Sequence, residues 1–270
     1  PKNFDGKFEG PMRMRTALVK SKNLVSIRIL QAIGIQYAQD YITRFGFDSS
    51  RHPPYLPMAL GSGSVTPMQM AVGYSVFANG GYRIAPYFIK RIEDEKGNVL
   101  EQFQPITPLN GAKRVIDPRN AFIMTHMMQD VVNYGTAAKA KQLGRTDLAG
   151  KTGTTSNFVD AWFCGFQKDL VTVAWTGYDE PKSLGNNETG GRIALPIWMD
   201  YMGPVLKGVP MAEYKPPNGI LATKINSATG FRESAGDINE YFFSEQLPPV
   251  SDTVVDHTPK VTKDLKDQLF

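Results

Sequence analysis

Lys151-Thr152-Gly153-Thr154-Thr155 concentrates more usable chemistry than any other stretch of the chain: a cation, hydroxyls and a glycine in consecutive positions. A lysine flanked by hydroxyl and amide donors suits a carboxylate, because hydrogen bonds to an ionised acceptor are short and strong. Gly153 carries no side chain, so another backbone can approach closely. The apolar run Ala161-Trp162-Phe163-Cys164-Gly165-Phe166 follows. Together these stretches read as one wall of a cleft for a substrate that ends in a carboxylate and lies along a strand edge. A second polar group, Ser21-Lys22-Asn23, stands at a break between two helical patterns. Ser21 and Asn23 can end one helix and cap the next, and Lys22 reads as exposed.

The elements that must position these groups follow from periodicity. Met12 to Lys20 and Leu24 to Ala32 carry helical patterns, the second with Leu24, Ile27 and Leu30 on one face. Gly34 interrupts it, a further helix carries Tyr37, Tyr41 and Phe45, and Gly46 ends that one. Residues 47–65 read as loop. Thr66-Pro67 starts a helix that Asn79-Gly80-Gly81 stops, since a capping hydroxyl followed by proline suits a first turn. Tyr82 to Glu93 and Asn98 to Phe103 read as a hairpin around Asp94 to Gly97. Asp117-Pro118 opens a helix with Met124, Met127 and Met128 as core, and a short helix runs through Leu143. Gly150 to Thr154, Ala161 to Phe166 and Leu170 to Tyr178 read as consecutive strands, and Leu195 to Leu206 as a helix on that sheet. The expected fold class is therefore α+β, helices on an antiparallel sheet. Its main domain is residues 1–213, with a helical part (1–80 and 117–146) and a sheet part (150–206). Strand-like pieces occupy 214–246, and a polar, mobile tail occupies 247–270.

Composition narrows the function. A net charge of +4 is too small to argue nucleic-acid binding, and no basic tract with interleaved aromatics occurs. No apolar run reaches the length of a membrane-spanning helix. Cys164 is the single cysteine, which excludes an internal disulfide and cysteine metal sites. It reads as buried and inert. His52, His126 and His257 are widely separated and read as surface or cap residues, so no metal and no cofactor is expected. Trp162, Trp175 and Trp198 read as core.

The motifs go further in combination. Leu60 to Ala71, Phe77-Ala78-Asn79-Gly80-Gly81, Gly135-Thr136-Ala137-Ala138, Leu148 to Thr155, Asp160 to Phe166 and Val173 to Asp179 stand in the order found in one family. From about residue 7 to about 210 the chain resembles the transpeptidase domain of a class A, bifunctional penicillin-binding protein, related to the serine β-lactamases. The resemblance implies that peptidoglycan stem peptides ending in D-Ala-D-Ala are cross-linked through a serine acyl-enzyme that β-lactams intercept. It implies that Lys151, Thr152 and Thr154 hold the terminal carboxylate, with Thr155 beside them. It gives the Thr154 amide as an oxyanion donor and Gly153 as the point where substrate backbone pairs with the strand. Ser21 would relay a proton to the leaving amine, helped by Lys151, and Asn23 would orient the substrate amide. It also implies a location on the outer face of the cytoplasmic membrane, in the periplasm, with an upstream anchor and an upstream glycosyltransferase domain.

One departure matters. The family nucleophile lies in Ser-x-x-Lys, and no serine in this chain has lysine three residues on. Thr136-Ala137-Ala138-Lys139 is a look-alike that reads as a helix opening. The nucleophile is expected upstream of Pro1, which leaves these residues inactive alone and one edge of the Leu170 strand unpaired. Two other readings remain. A non-catalytic fragment would bind cell-wall peptide or a partner. A P-loop nucleotidase is suggested by Gly150-Lys151-Thr152, but the first glycine is displaced by one residue and a strand pattern follows where a helix is needed.

Overall fold

The computed structural model describes residues 2–251, which fall into two compact units, one through Pro217 and one from Asn218 on. In the first, α1 (Met14–Val19), α2 (Asn23–Ile33) and α3 (Ile35–Ile42) follow one another, broken at 20–22 and at Gly34. The first break is not capped by the residues within it. The Asn3 side chain instead accepts from the Leu24 amide at 3.1 Å and donates to Lys7 O. Lys22 is not exposed as expected: at 6% exposure it pairs with Asp5 at 2.7 Å and Glu9 at 3.2 Å. The stretch 47–65 contains two short 3₁₀ turns, Ser49–Arg51 and Leu56–Leu60.

Helix α4 (Pro67–Ala78) starts at a reciprocal cap, with Thr66 Oγ1 accepting from Gln69 N and Gln69 Oε1 from Thr66 N. The expected long hairpin splits after it. β1 (Tyr82–Arg83) pairs with β4 (Lys113–Arg114), and only β2 (Arg91–Glu93) pairs with β3 (Val99–Gln102). Pro86 lies between β1 and β2 and has no N–H for a ladder, which is the local reason for the split. Helix α5 (Pro118–Tyr134) starts where the Asp117 carboxylate accepts from Arg119 N. Its buried face carries Phe122, Thr125, Met128, Val131 and Val132 at helical spacing.

The central sheet is an antiparallel meander of β5 (Ala149–Thr154), β6 (Ala161–Gln167) and β7 (Leu170–Thr176). Successive side chains alternate between its faces. Ala161, Phe163 and Ala174 pack with Val131 and Val132 of α5 and with Leu195, Trp198 and Met202 of α6 (Leu195–Val205). Phe166 and Ala149 face the other way, onto Ala78 and Met128. The Phe163 and Trp198 rings meet edge to face at 4.9 Å over Gly165, where an added Cβ would lie 2.7 Å from Phe163 and 2.9 Å from Trp198. Sheet and helices thus give the α+β arrangement expected. Among the described residues the outer edges of both β5 and β7 lack a partner strand.

The second unit contains β8 (Ile220–Ile225) paired with β9 (Ile238–Phe243). Of the polar stretch beyond Gln246, residues 247–251 are described and held by Arg232: its Nε donates to Pro248 O at 2.6 Å and its carbonyl accepts from Ser251 N at 3.1 Å. The rest of that stretch, with His257, lies outside the described residues.

Candidate active site

Strand β5 is bound on one side by β6 and open on the other. Hydrogen-bonded and non-hydrogen-bonded pairs alternate along an antiparallel ladder. Thr155 N donates to Asp160 O at 3.1 Å, so Gly153 and Lys151 form the next hydrogen-bonded pairs inward. The backbone groups of Thr152 and Thr154 therefore point to the open edge. That edge presents the backbone groups of Thr152 and Thr154 to any extended chain laid beside it, with no strand paired there among the described residues.

Ser21 and Lys151 meet although 130 positions separate them: Lys151 Nζ donates to Ser21 Oγ at 2.8 Å and to Thr152 O at 3.0 Å. Ser21 reaches this position through the way α1 ends. Its N–H donates to Leu18 O and that of Lys22 to Ala17 O, while Ser21 takes the left-handed conformation at φ +54°. This is a helix stop that usually uses glycine. Here the side chain is retained in a conformation that costs an L-residue about 1 kcal/mol. Ser21→Gly is expected to raise the thermal midpoint while removing the acceptor of Lys151. A midpoint several degrees lower would show that the Ser21–Lys151 bond outweighs the backbone strain.

Among the described residues no carboxylate pairs with Lys151, and burial alone brings its ammonium down to about 8. A cation desolvated in this way gains strongly from an incoming anion. The pleat sets the neighbouring threonines on the opposite face. Thr152 Oγ1 lies 2.6 Å from Thr136 Oγ1, and Thr154 Oγ1 accepts from Gly190 N at 3.1 Å. Gly190 packs so closely that a Cβ there would overlap the carbonyl oxygens of Gly153 and Trp162. Lys151 and the two threonine hydroxyls can thus share a ligand only along the open edge. Thr155 is committed elsewhere: its Oγ1 accepts from Asp160 N at 2.7 Å, closing the β5–β6 loop. Asn23 is not brought to Lys151, and its Nδ2 donates to Lys2 O at 2.9 Å.

Beside Lys151 lies a cleft of about 960 Å³, walled by α2, the 58–70 segment and the sheet face that carries Trp162, Cys164 and Trp175. Three expectations change here. Trp175 is 38% exposed and lines the cleft with Trp162, its Nε1 donating to Asp160 Oδ1 at 2.9 Å, whereas Trp198 is core as expected. His52 also lines the cleft, its Nε2 buried without a hydrogen-bond partner and its basicity lowered by burial. His126, by contrast, sits against Arg15 at 2.9 Å. Cys164 is buried, and burial pushes its thiol up to about 12, so it is inert. Sequence periodicity gave no signal for His52, because it sits in an irregular loop. The alternation of β6 and β7 could have placed Trp162 and Trp175 on the Lys151 face. Finally, Lys151-Thr152 stands inside a strand followed by a loop and another strand, which removes the phosphate-loop reading.

The family description "Penicillin binding protein transpeptidase domain" matches residues 2–202. The chain belongs to the penicillin-binding protein transpeptidase family. Relatives within it include penicillin-binding protein 1A of Neisseria lactamica, 54% identical over 82% of this chain, and that of Pseudomonas aeruginosa, 42% identical over 92%. The chain spans 28% of the length of the Neisseria lactamica protein and 36% of that from Pseudomonas aeruginosa. Among solved structures, penicillin-binding protein 1A from Haemophilus influenzae superposes with a TM-score of 0.88 at 33% identity, covering 92% of this chain and 42% of that one. The PonA1 protein from Mycobacterium tuberculosis, solved in complex with penicillin V, shares the fold with a TM-score of 0.67 at 24% identity, covering 80% of this chain and 62% of that one.

Proposed function

We propose that this chain supplies the substrate-binding strand and a proton-relay pair of a serine D,D-transpeptidase that cross-links peptidoglycan stem peptides, and that β-lactams bind in the same place. The observation that carries this reading is the 2.8 Å contact between Ser21 Oγ and Lys151 Nζ, at the mouth of an apolar cleft and beside an open strand edge. The stem peptide lies extended along β5 and pairs with the backbone of Thr152 and Thr154. Its terminal carboxylate meets the Lys151 ammonium and the threonine hydroxyls. The Thr154 amide, directed to the open edge, hydrogen-bonds to the oxyanion that forms at the penultimate carbonyl.

Ser21 accepts its hydrogen bond from Lys151, which leaves the serine proton free to be donated. That proton passes to the amine of the departing D-Ala, and the adjacent ammonium stabilises the negative charge left on Ser21 Oγ. The attacking serine comes from a Ser-x-x-Lys segment outside residues 1–270, since no such sequence occurs within them. An amine from a second stem then takes the acyl group. The whole enzyme carries a membrane anchor and a glycosyltransferase domain upstream and acts in the periplasm.

Covalent labelling by a fluorescent penicillin tests the reading. Residues 1–270 alone are expected to remain unlabelled, and the protein with its upstream Ser-x-x-Lys segment restored is expected to label. Labelling of residues 1–270 would place the nucleophile inside this chain. A restored, folded protein that never labels would remove the transpeptidase reading and leave a peptide-binding fragment.

A further inference from the structure

We propose that the first unit carries a second binding site, for a phosphate group, in a basic pocket remote in lining from the β-lactam cleft. The pocket has a volume of about 720 Å³ and is lined by Arg44, Arg83, Lys113 and Arg114, with Thr43 and Ile106 between them. It shares no lining residue with the cleft beside Lys151. No acidic side chain lines it, and none of the four cations makes an ion pair among the described residues. Asp117, whose carboxyl is held low chiefly by Arg119 and more weakly by Arg114, has its oxygens taken by Arg119.

Two features separate this pocket from a chance cluster of surface charges. The first is that its three arginines are held in place by neutral partners. The Arg44 guanidinium lies over the Tyr41 ring at 4.5 Å, and that of Arg114 over Tyr82 at 4.2 Å. Arg114 also donates to Gly80 O at 2.9 Å and to Tyr82 Oη at 2.7 Å, and Arg83 reaches Thr43 O at 3.4 Å. Ordering of this kind removes much of the side-chain entropy that binding would otherwise cost. It consumes only part of each guanidinium fork, so N–H donors remain for a ligand.

The second feature is a built-in repulsion. Arg83 and Lys113 are direct partners in the β1–β4 ladder, where like charges destabilise the pairing. An anion seated between them converts that repulsion into two attractions. Its class follows from charge and shape. A phosphate carries up to two negative charges and several acceptor oxygens, and guanidinium forks match its geometry in a bidentate way. A single carboxylate neutralises less of a pocket with four cations.

The chemistry is shared by soluble phosphate compounds and by the headgroups of anionic lipids. Residues 1–270 are titrated at low salt with inorganic pyrophosphate, followed by calorimetry, and sedimented with phosphatidylglycerol or phosphatidylcholine vesicles. The expected result is saturable pyrophosphate binding that weakens at least tenfold in the R83A/K113A double variant, with an unchanged circular dichroism spectrum. Single variants, R83A and K113A, are read in parallel in case the double variant does not fold. Co-sedimentation with phosphatidylglycerol alone, lost in the variants, supports the same site with a headgroup as its source. Binding that the variants leave unchanged overturns the proposal, as does no binding to either probe. An acidic peptide bound more tightly than pyrophosphate also overturns it, because the pocket would then be a protein-docking surface.

Discussion

Lys151→Met is expected to give a more stable protein that loses the proposed reactivity toward penicillin. On the proposed transpeptidase reading, removing this cation from a protein that includes a Ser-x-x-Lys segment should slow penicillin acylation by about 10²- to 10³-fold, the range seen when an electrostatic partner of a reacting group is lost. Stability should move the other way. Lys151 is desolvated and, among the described residues, has only Ser21 Oγ and a carbonyl as partners, and an apolar side chain of similar length needs neither. The pH dependence distinguishes this cause from a packing effect. The folded-state value is about 8, against about 10.4 for a lysine in an unfolded chain. Between these values the unfolded chain binds a proton that the folded one has released, so wild-type stability rises with pH in that window. The advantage of Lys151→Met should therefore be full below pH 8 and shrink as pH rises from about 8 to about 10.4. Thermal midpoints of both proteins across that range check it. An advantage that is flat with pH would mean that Lys151 is not desolvated as the structure indicates.

Asp147→Ala is expected to cost about 3–5 kcal/mol, the range for breaking one side of a buried ion pair. Asp147 is 1% exposed and stands two residues before β5. It accepts from Arg145 Nε at 2.9 Å and Nη2 at 2.6 Å, from Gln167 Nε2 at 3.2 Å and from the Ala212 amide at 2.8 Å. Arg145 donates onward to Val209 O at 2.8 Å and Pro210 O at 3.2 Å. The pair thus ties the segment after α6 to the start of β5. Alanine would leave a guanidinium and two further donors without their acceptor. Asp147→Asn, which keeps the shape and one acceptor, should cost less. Burial pushes the Asp147 carboxyl up, but Arg145, the Ala212 amide and Gln167 together hold it below the usual carboxylate range. Its contribution should accordingly be complete above about pH 4 and be withdrawn only as pH falls further, through the lowered folded-state value. Urea unfolding of the two variants at pH 7 and pH 3 measures both effects. Equal stability of wild type and Asp147→Ala at pH 7 would contradict the network.

The two sets of residues show why the site was only partly legible. Strand β5 could be read directly, because Gly150 to Thr154 is followed by two apolar runs with a tight turn between them. The capped starts at Thr66-Pro67 and Asp117-Pro118 were equally clear, since capping is local chemistry. The hairpin beginning at Tyr82 was misread because β1 finds its partner in β4, beyond the Asp94 turn. That choice depends on Pro86 and on where α5 begins. Lys22 was misread because its partners Asp5 and Glu9 lie in an irregular segment with no period. The resemblance joins Asn23 to Ser21 at the site, and its side chain donates to the backbone of Lys2.

The sequence by itself determined the family, the α+β class, the strand that carries Lys151 and the absence of Ser-x-x-Lys from residues 1–270, because motifs, caps and alternation are encoded over a few neighbouring residues. Only the tertiary structure showed that a left-handed Ser21 at the end of α1 sets its Oγ 2.8 Å from Lys151 Nζ, and that Thr152 and Thr154 meet Thr136 and Gly190. It alone brought His52 and Trp175 to the cleft, Arg145 to the chain after α6, and Arg83 opposite Lys113. Those contacts join residues far apart in the chain, and what selects them is the packing of α5 and α6 against the sheet, which no local pattern records.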